Sequence, residues 1–528
     1  MLENITYLVL LSPLAFVITA IVSWFQPGPK PVFVKKTAMI ASLLSICISI
    51  IIITLLNSKS LLEIDILSIN NLGISLRLDS LSILMLNMIA LLSFIIIKFS
   101  GNYLDGDDRQ GAFIGRLAAT IGSVQLLVLS GNLAILFISW VLTSISLHRL
   151  LVFYPNRPGA IISARKKFIL ARLSDTFLLA AVILLYNEFH TGNLEAIFSA
   201  IKITYNSNSS TTTLEYAALA LAFAAIIKSA QFPFHGWIVE VMETPTPVSA
   251  LLHAGLLNAG PFLIVRMAFI INESNYTQTL LIITGAFTAL FASIVYLTQT
   301  SVKTALGYSS VAHMGFSLLT CGLGVYSATM LHLVAHSFYK AHAFLSSGSA
   351  IEVVRSSKFS PLKRLGHPAR IFIGFVLSII IYFTCAAIWG VNPSKQLPLL
   401  AIGMIILFGL TKILTEAIDS NGSPSLIIKA TILAIVVTVA FFTLESLSHS
   451  FLSTQLPETS TLSNSEIIIT IIIVLIFTTT IFIQIIAPLT SKKSLFSTII
   501  IHLRNGLYVN SYFDRLVGAL KIESKNIN

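Results

Sequence analysis

The chain has 528 residues, 55% of them hydrophobic and only 10% charged, with a formal net charge of +11. A soluble domain carries about 25% charged residues, so this composition excludes an ordinary soluble protein. The positive balance would suggest nucleic acid on a soluble chain, but here it reads as Lys- and Arg-rich loops on one side of a membrane. Cys47, Cys321 and Cys385 lie singly inside apolar runs, which argues against disulfides, iron–sulfur clusters and haem attachment. There is no dinucleotide fingerprint, P-loop or lipidation signal.

Apolar runs of about 20 residues recur from end to end, each long enough to cross a hydrocarbon core of about 30 Å. Lipid offers no partners to backbone groups, so these runs must be helices. The prediction is an all-α polytopic membrane protein with about 15 spans. Their approximate cores are 6–25, 37–56, 78–99, 113–130, 132–150, 168–186, 214–242, 246–271, 278–298, 304–324, 327–350, 371–390, 398–418, 425–447 and 466–488. The first run, Tyr7 to Phe25, has neither a basic leader nor an A-x-A site and reads as a span, not a signal peptide. The seventh is long and interrupted by Pro233. With the N-terminus outside, the inner segments hold 23 Lys and Arg residues and the outer segments four, Lys59, Arg77, Lys202 and Lys395. That asymmetry predicts Met1 outside and Asn528 in the cytoplasm. The outer loops 203–213 and 448–465, rich in Ser, Thr and Asn, are expected to be mobile.

Six basic residues fall within the spans: Arg172, Lys228, Arg266, Lys340, Lys412 and Lys429. A Lys or Arg at the bilayer centre costs about 2.5–3.5 kcal/mol unless it is paired or hydrated. Lys429 reads as a snorkelling residue, and Lys412 has Glu416 one turn along. Arg266 stays ambiguous. Lys228 stands five residues before Pro233, which removes a helix donor and clashes with the preceding turn. A broken helix at membrane depth must face protein or a water-filled cavity, and a Lys beside one is how transporters build ion sites.

His332, His336 and Lys340 follow at spacings of four and share one helix face. Such a row can pass protons or hydrated cations. A structural polar seam and a metal site are the alternatives, although Leu333 removes the zincin motif. His253, in the span after the break, could extend the path from Lys228. Arg172 and Asp175 are three apart and can pair, for structure or for coupling. Glu240 and Glu243 follow the break near the inner face, as mouth carboxylates or simply solvated groups.

These residues sit in the words KSAQFPFHGW (228–237), PTPVSALLHAG (245–255), KTALGYSSVAHMGF (303–316) and HLVAHSFYKAHAFLSSGS (332–349). They resemble the antiporter-like subunits of respiratory complex I, above all chain 5, shared with multisubunit Na⁺/H⁺ antiporters. The match runs from about residue 75 to 350. By resemblance, Lys228 is the broken-helix lysine, His253 the histidine of the next helix and Lys303 the basic residue opening the second repeat's core. His332, His336 and Lys340 are the central relay, and Arg172 and Asp175 the sixth-helix ion pair. The family fold implies two inverted five-helix repeats. The expected organisation is N-terminal helices 1–112, a first repeat 113–271, a second repeat 278–418, C-terminal helices 425–490 and a cytoplasmic tail 491–528.

Two features depart from chain 5. In FISWVLTSISLHRL, Val141 stands where chain 5 carries the Glu that partners the broken-helix lysine. After RNGLYVNSYFDRLVG too few residues follow for a lateral helix and final span. The stretch 232–268 is instead similar to the membrane subunit of two-component DAB-type inorganic-carbon accumulation complexes of bacteria. That resemblance implies a proton- or sodium-conducting subunit of the inner membrane, with no cofactor of its own. Its partner would be a large zinc-containing protein like a β-carbonic anhydrase on the cytoplasmic face, near 351–370 or the tail. The alternatives are a subunit of a multisubunit cation/proton antiporter or of an NADH–quinone oxidoreductase-like pump.

Overall fold

The computed structural model describes residues 7–56, 61–69, 72–205, 211–348, 366–392, 396–420, 423–458, 462–486 and 493–517. The chain enters through helices α1 (Leu11–Phe25) and α2 (Val32–Leu56), then a hairpin of β1 (Leu61–Ile69) and β2 (Leu72–Asp79). α3 (Ser80–Tyr103), α4 (Gln110–Val128), α5 (Leu133–Leu151) and α6 (Pro158–Phe189) follow. Next come α7 (Leu194–Tyr205), α8 (Thr212–Lys228), α9 (Gly236–Glu240), α10 (Thr246–Ala254), α11 (Ala259–Arg266) and α12 (Ala268–Asn272). The second half holds α13 (Asn275–Tyr296), α14 (Val302–Gly322), α15 (Tyr326–Leu345), α16 (Pro368–Ile388) and α17 (Leu397–Ile418). α18 (Pro424–Leu452), α19 (Asn464–Ile486), α20 (Lys493–Arg504) and α21 (Val509–Val517) complete it.

Each expected span overlaps described helix. Among the described residues, twelve helical stretches are long and apolar enough to cross a membrane. The three remaining expected spans are the ones that carry the candidate site. α8 stops after 17 residues because its backbone breaks, while α14 and α15 are long enough but interrupted by His, Lys, Ser and Thr. These polar helices are shielded by neighbours. α13 and α14 cross so closely that a Cβ on Gly315 would meet the Ala289 backbone nitrogen at 2.5 Å. Small residues let membrane helices approach in this way, and the approach fixes the height of His313 on α14.

Four features differ from the sequence-based expectation. The segment expected as an outer loop folds as an antiparallel hairpin. Its alternation puts Ile64, Leu76 and Leu78 into the core and holds Glu63 and Arg77 on the other face. The eighth span is not continuous but divides into α10, a 3₁₀ turn at Leu256–Asn258, α11 and α12. An additional helix, α7, lies between the sixth and seventh spans. The segment expected as a tail contains α20 and α21, while the rest of the expected docking stretch 351–370 up to residue 365 lies outside the described residues.

The loops sort into two ends. At one end Lys35 pairs with Asp105 at 2.9 Å, Arg109 donates to the Phe153 carbonyl, Arg116 to the Arg149 carbonyl and Gln299 to the Arg504 carbonyl. At the other, Val9 packs against the hairpin, the Arg77 amide donates to the Leu129 carbonyl, and Asn272 donates to the Glu458 carbonyl. The basic-rich segments therefore meet at one end, and the start and finish of the described chain lie at opposite ends.

The second end is held by a buried ion network. Asp79 caps the N-terminus of α3 through the Ser82 amide at 2.7 Å and accepts from Arg266 at 2.5 Å and Arg77 at 2.7 Å. Arg77 also reaches Glu195 at 2.7 Å, tying hairpin to α7. Burial pushes the Asp79 carboxyl up, but the two guanidinium groups and the Ser82 amide outweigh it and hold the carboxyl well below the usual carboxylate range. A depressed value adds stability that is fully present above the unfolded carboxylate value of about 3.9 and is lost only as pH falls through the folded value. Asp79→Asn takes the carboxylate from buried Arg266 and leaves Arg77 only its contacts to Glu195 and Glu63, and should cost about 3–5 kcal/mol. The expected outcome is a lower thermal midpoint of the detergent-solubilised protein, with a deficit flat between about pH 5 and pH 8. An unchanged midpoint would remove the network from the account of stability.

Candidate functional site

The helix break begins at Lys228, the last residue of α8. The Ser229 amide still donates to the Ala225 carbonyl and the Gln231 amide to the Ile226 carbonyl, but Ala230 turns left-handed at φ +53°. Pro233 supplies no donor, and the Phe232 amide is satisfied by the Thr288 hydroxyl of α13 at 3.1 Å. The helix resumes at Gly236 as α9. The break is thus closed by side chains, as membrane depth requires.

Val141 leaves α5 without a carboxylate, and Lys228 is held by neutral groups instead. Its ammonium donates to the Trp140 carbonyl at 3.1 Å, the Thr143 hydroxyl at 3.2 Å and the Ser144 hydroxyl at 2.6 Å. It lies 4.2 Å from the centre of the Trp140 ring. Lys167 shares this cage, donating to the Ser144 carbonyl at 2.6 Å while almost wholly buried. Among the described residues neither lysine has a carboxylate within ion-pairing distance. Both line a cavity of about 20 Å³, room for one water, together with Trp237, Leu252 and Leu256. Arg172 and Asp175 form the expected pair on α6 at 2.7 Å.

The second group stands on α14 and α15. His332, His336 and Lys340 share a face of α15, with the two imidazole centroids 5.9 Å apart. Lys340 is fully buried and donates to the Leu306 carbonyl of α14 at 3.1 Å. His313, on α14, joins them: its Nδ1 lies 3.3 Å from His332 Nε2, and its ring centroid is 4.8 Å from that of His336. A cavity of about 680 Å³, mostly apolar, opens beside His313 and His332.

His253 on α10 links the halves. Its buried ring stacks on Phe344, one turn beyond Lys340, at 4.3 Å. Its neighbours Leu252 and Leu256 wall the Lys228 cavity. Four residues past the end of α10, in that same broken segment, Asn258 donates to the Ser337 hydroxyl, beside His336, at 2.7 Å. The irregular stretch thus borders both groups. Lys303 does not join them. It sits half-buried in the first turn of α14, with no hydrogen bond or ion pair to another described residue.

Of the other charges, some have structural partners and some are exposed. Arg266 belongs to the Asp79 network. Lys412 and Glu416 are exposed and unpaired with each other, and Lys429 is exposed. Glu240 pairs with fully buried Lys166 at 2.5 Å, and Asp514 and Asn510 of α21 complete that cluster. Glu243 accepts the Ala160 amide at 3.2 Å. The sequence offered no prompt for Lys166 and Lys167, which stand just ahead of an apolar run and read as loop. His313 was an isolated histidine whose neighbours are made by helix packing, though it lies inside a word already singled out.

The chain matches two sequence families. Residues 130–394 match the membrane domain described as NADH:quinone oxidoreductase/Mrp antiporter, and residues 66–114 match the N-terminus of complex I chain 5. The chain is 42% identical over 286 residues to a probable inorganic carbon transporter subunit DabB of Hydrogenovibrio crunogenus, covering 53% of this chain and 55% of that protein. It is 35% identical over 450 residues to the probable inorganic carbon transporter subunit DabB2 of Halothiobacillus neapolitanus, covering 84% of this chain and 80% of that protein. Identity to NADH-quinone oxidoreductase subunit L of Escherichia coli is 32% over 361 residues, covering 68% of this chain and 56% of that protein. The match to the Hydrogenovibrio protein thus spans only about half the length of that relative. In fold the chain is similar to part of the Mrp complex from Dietzia sp., with TM-score 0.60 and 19% identity, covering 97% of this chain and 60% of that one. It is similar also to a chain of the archaeal membrane-bound sulfane sulfur reductase, with TM-score 0.59 and 18% identity, covering 98% of this chain and 99% of that one. These matches, with the helix bundle they overlie, make the chain a multi-pass membrane protein of the NADH:quinone oxidoreductase/Mrp antiporter family.

Proposed function

We propose that this chain is a cation-conducting membrane subunit, carrying protons or sodium ions, that energises inorganic-carbon uptake by a two-component complex. The observation that carries the conduction is the succession of ionisable groups on helices packed together inside the bundle, buried His253, Lys340 and His336 and half-buried Lys228, His332 and His313. In this reading Arg172 and Asp175 bias the Lys228 end. Lys303 is kept as a candidate for the inner entry, since it opens the helix that carries His313. The carbon step rests on the similarity to the probable inorganic carbon transporter subunits. The chain itself would need no cofactor. A zinc-containing, carbonic-anhydrase-like partner would bind on its cytoplasmic face. The basic-rich end, which bears Lys35, Arg109 and Arg504, would be that face in the bacterial inner membrane. A subunit of a multisubunit cation/proton antiporter is the second reading, favoured by the fold shared with the Mrp complex.

The neutral cage suits a switching charge. A fixed carboxylate would hold Lys228 permanently cationic, whereas hydroxyls, a carbonyl and one water can serve both the charged and the neutral amine. The energetics permit coupling: one charge crossing 100 mV releases about 2.3 kcal/mol. A tenfold concentration ratio costs about 1.4 kcal/mol.

Lys228→Ala should abolish growth at low CO₂ while protein level and assembly persist. Lys228→Arg should fail equally, because a guanidinium does not deprotonate. Full growth with Arg would show that the site needs only a fixed positive charge and would end the relay role of Lys228.

Untagged partner should co-purify with the tagged chain, carry zinc, and cross-link to the end bearing Lys35 and Arg504. Cross-links confined to the hairpin end would reverse the orientation. Carbon accumulation by this chain with no partner would sink the two-component reading.

A further inference from the structure

Three imidazoles from two helices meet without a carboxylate among them. The ligand nitrogens of His313, His332 and His336 all lie within 4.8 Å of one another. We propose that these three histidines form a binding site for a borderline divalent transition cation of the Zn²⁺ type, and that its occupancy blocks the row.

The spacing suits that chemistry. Two nitrogens on a tetrahedral Zn²⁺ with bonds of about 2.0–2.1 Å stand about 3.3 Å apart. His313 Nδ1 and His332 Nε2 are 3.3 Å apart. The third ligand is available to join them, since neither ring nitrogen of His336 has a hydrogen-bond partner among the described residues although the residue is only 3% exposed. Imidazole donors select Zn²⁺, Co²⁺, Ni²⁺ or Cu²⁺, whereas Mg²⁺ and Ca²⁺ want oxygens that the cluster does not offer. The cavity beside His313 and His332 leaves a fourth position for water.

One neighbour opposes the ion. Lys340 lies one turn from His336, its ammonium turned to the Leu306 carbonyl. Its charge weakens the site relative to a closed structural zinc site, so occupancy would be reversible. A bound cation takes up the nitrogen lone pairs through which protons would pass. The blocking effect, unlike the binding, rests on the function proposed above.

The test uses the untagged full-length chain with its partner in lipid nanodiscs, probed with Co²⁺ and then Zn²⁺. Co²⁺ should bind once per chain with the intense ligand-field bands of a four-coordinate, nitrogen-ligated ion, and Zn²⁺ should displace it. His313→Gln and His336→Gln should each weaken binding at least tenfold, His253→Gln should leave it unchanged, and Lys340→Met should tighten it. Absence of the bands, or equal binding in the two cluster variants, would overturn the site. Should either cluster variant fail to fold, judged by its helical circular dichroism, the Lys340→Met comparison decides, and unchanged affinity there counts against the cluster. Zn²⁺ at saturating concentration should also stop cation flux. Flux that continues with the bands present would leave the metal site standing and overturn its blocking role.

Discussion

A charge in hydrocarbon must be solvated by the protein that carries it, and this requirement shapes the molecule. The chain meets it in two ways. At the bundle ends, charges are matched by opposite charges: Asp79 lies between Arg77 and Arg266, and Lys166 between Glu240 and Asp514. In the middle, apart from the Arg172–Asp175 pair, charges are met by neutral dipoles: Lys228 by Trp140, Thr143 and Ser144, Lys167 by the Ser144 carbonyl, and Lys340 by the Leu306 carbonyl. A buried ion pair is hard to neutralise because losing one partner strands the other. A dipole cage carries no such penalty. The ends are therefore built to stay charged, and the proposed conduction places any change of charge at the centre.

The backbone follows the same division. Two of the elements that border the row are broken, while α14 and α15, which carry its other members, run on unbroken. α8 gives way at Lys228, and the α10–α12 stretch is interrupted around His253 and Asn258. At the first break the freed Phe232 amide is met by the Thr288 hydroxyl. Breaking a helix beside a titratable group supplies extra dipoles and room for water, which continuous helices lack.

Much of this was legible in the sequence. Span positions follow from apolar runs, because length against bilayer thickness is a one-dimensional property. The α15 row follows from spacing alone, and the Lys228 break from Pro233. What was hidden is what only packing creates. His313 has no neighbours in sequence that mark it, and it becomes part of a cluster because α14 packs against α15. Lys167 sits in a basic run that reads as a loop, yet α6 begins at Pro158 and carries it inward. The hairpin escaped notice because its alternation is short and mixed with charge, which resembles a polar loop. The missing carboxylate at Val141 was visible, but not its replacement by Ser144 and Thr143, whose side chains gain meaning only opposite Lys228.

The central claim is that cations cross through the buried row of this chain. Proteoliposomes holding the chain with its partner, under an imposed potassium diffusion potential, allow internal pH and sodium to be followed together by dyes. The account predicts a potential-driven uptake of one of the two ions in the wild type, lost when Lys340 alone is replaced by Met in a correctly assembled complex. Equal flux in that variant and the wild type would contradict it.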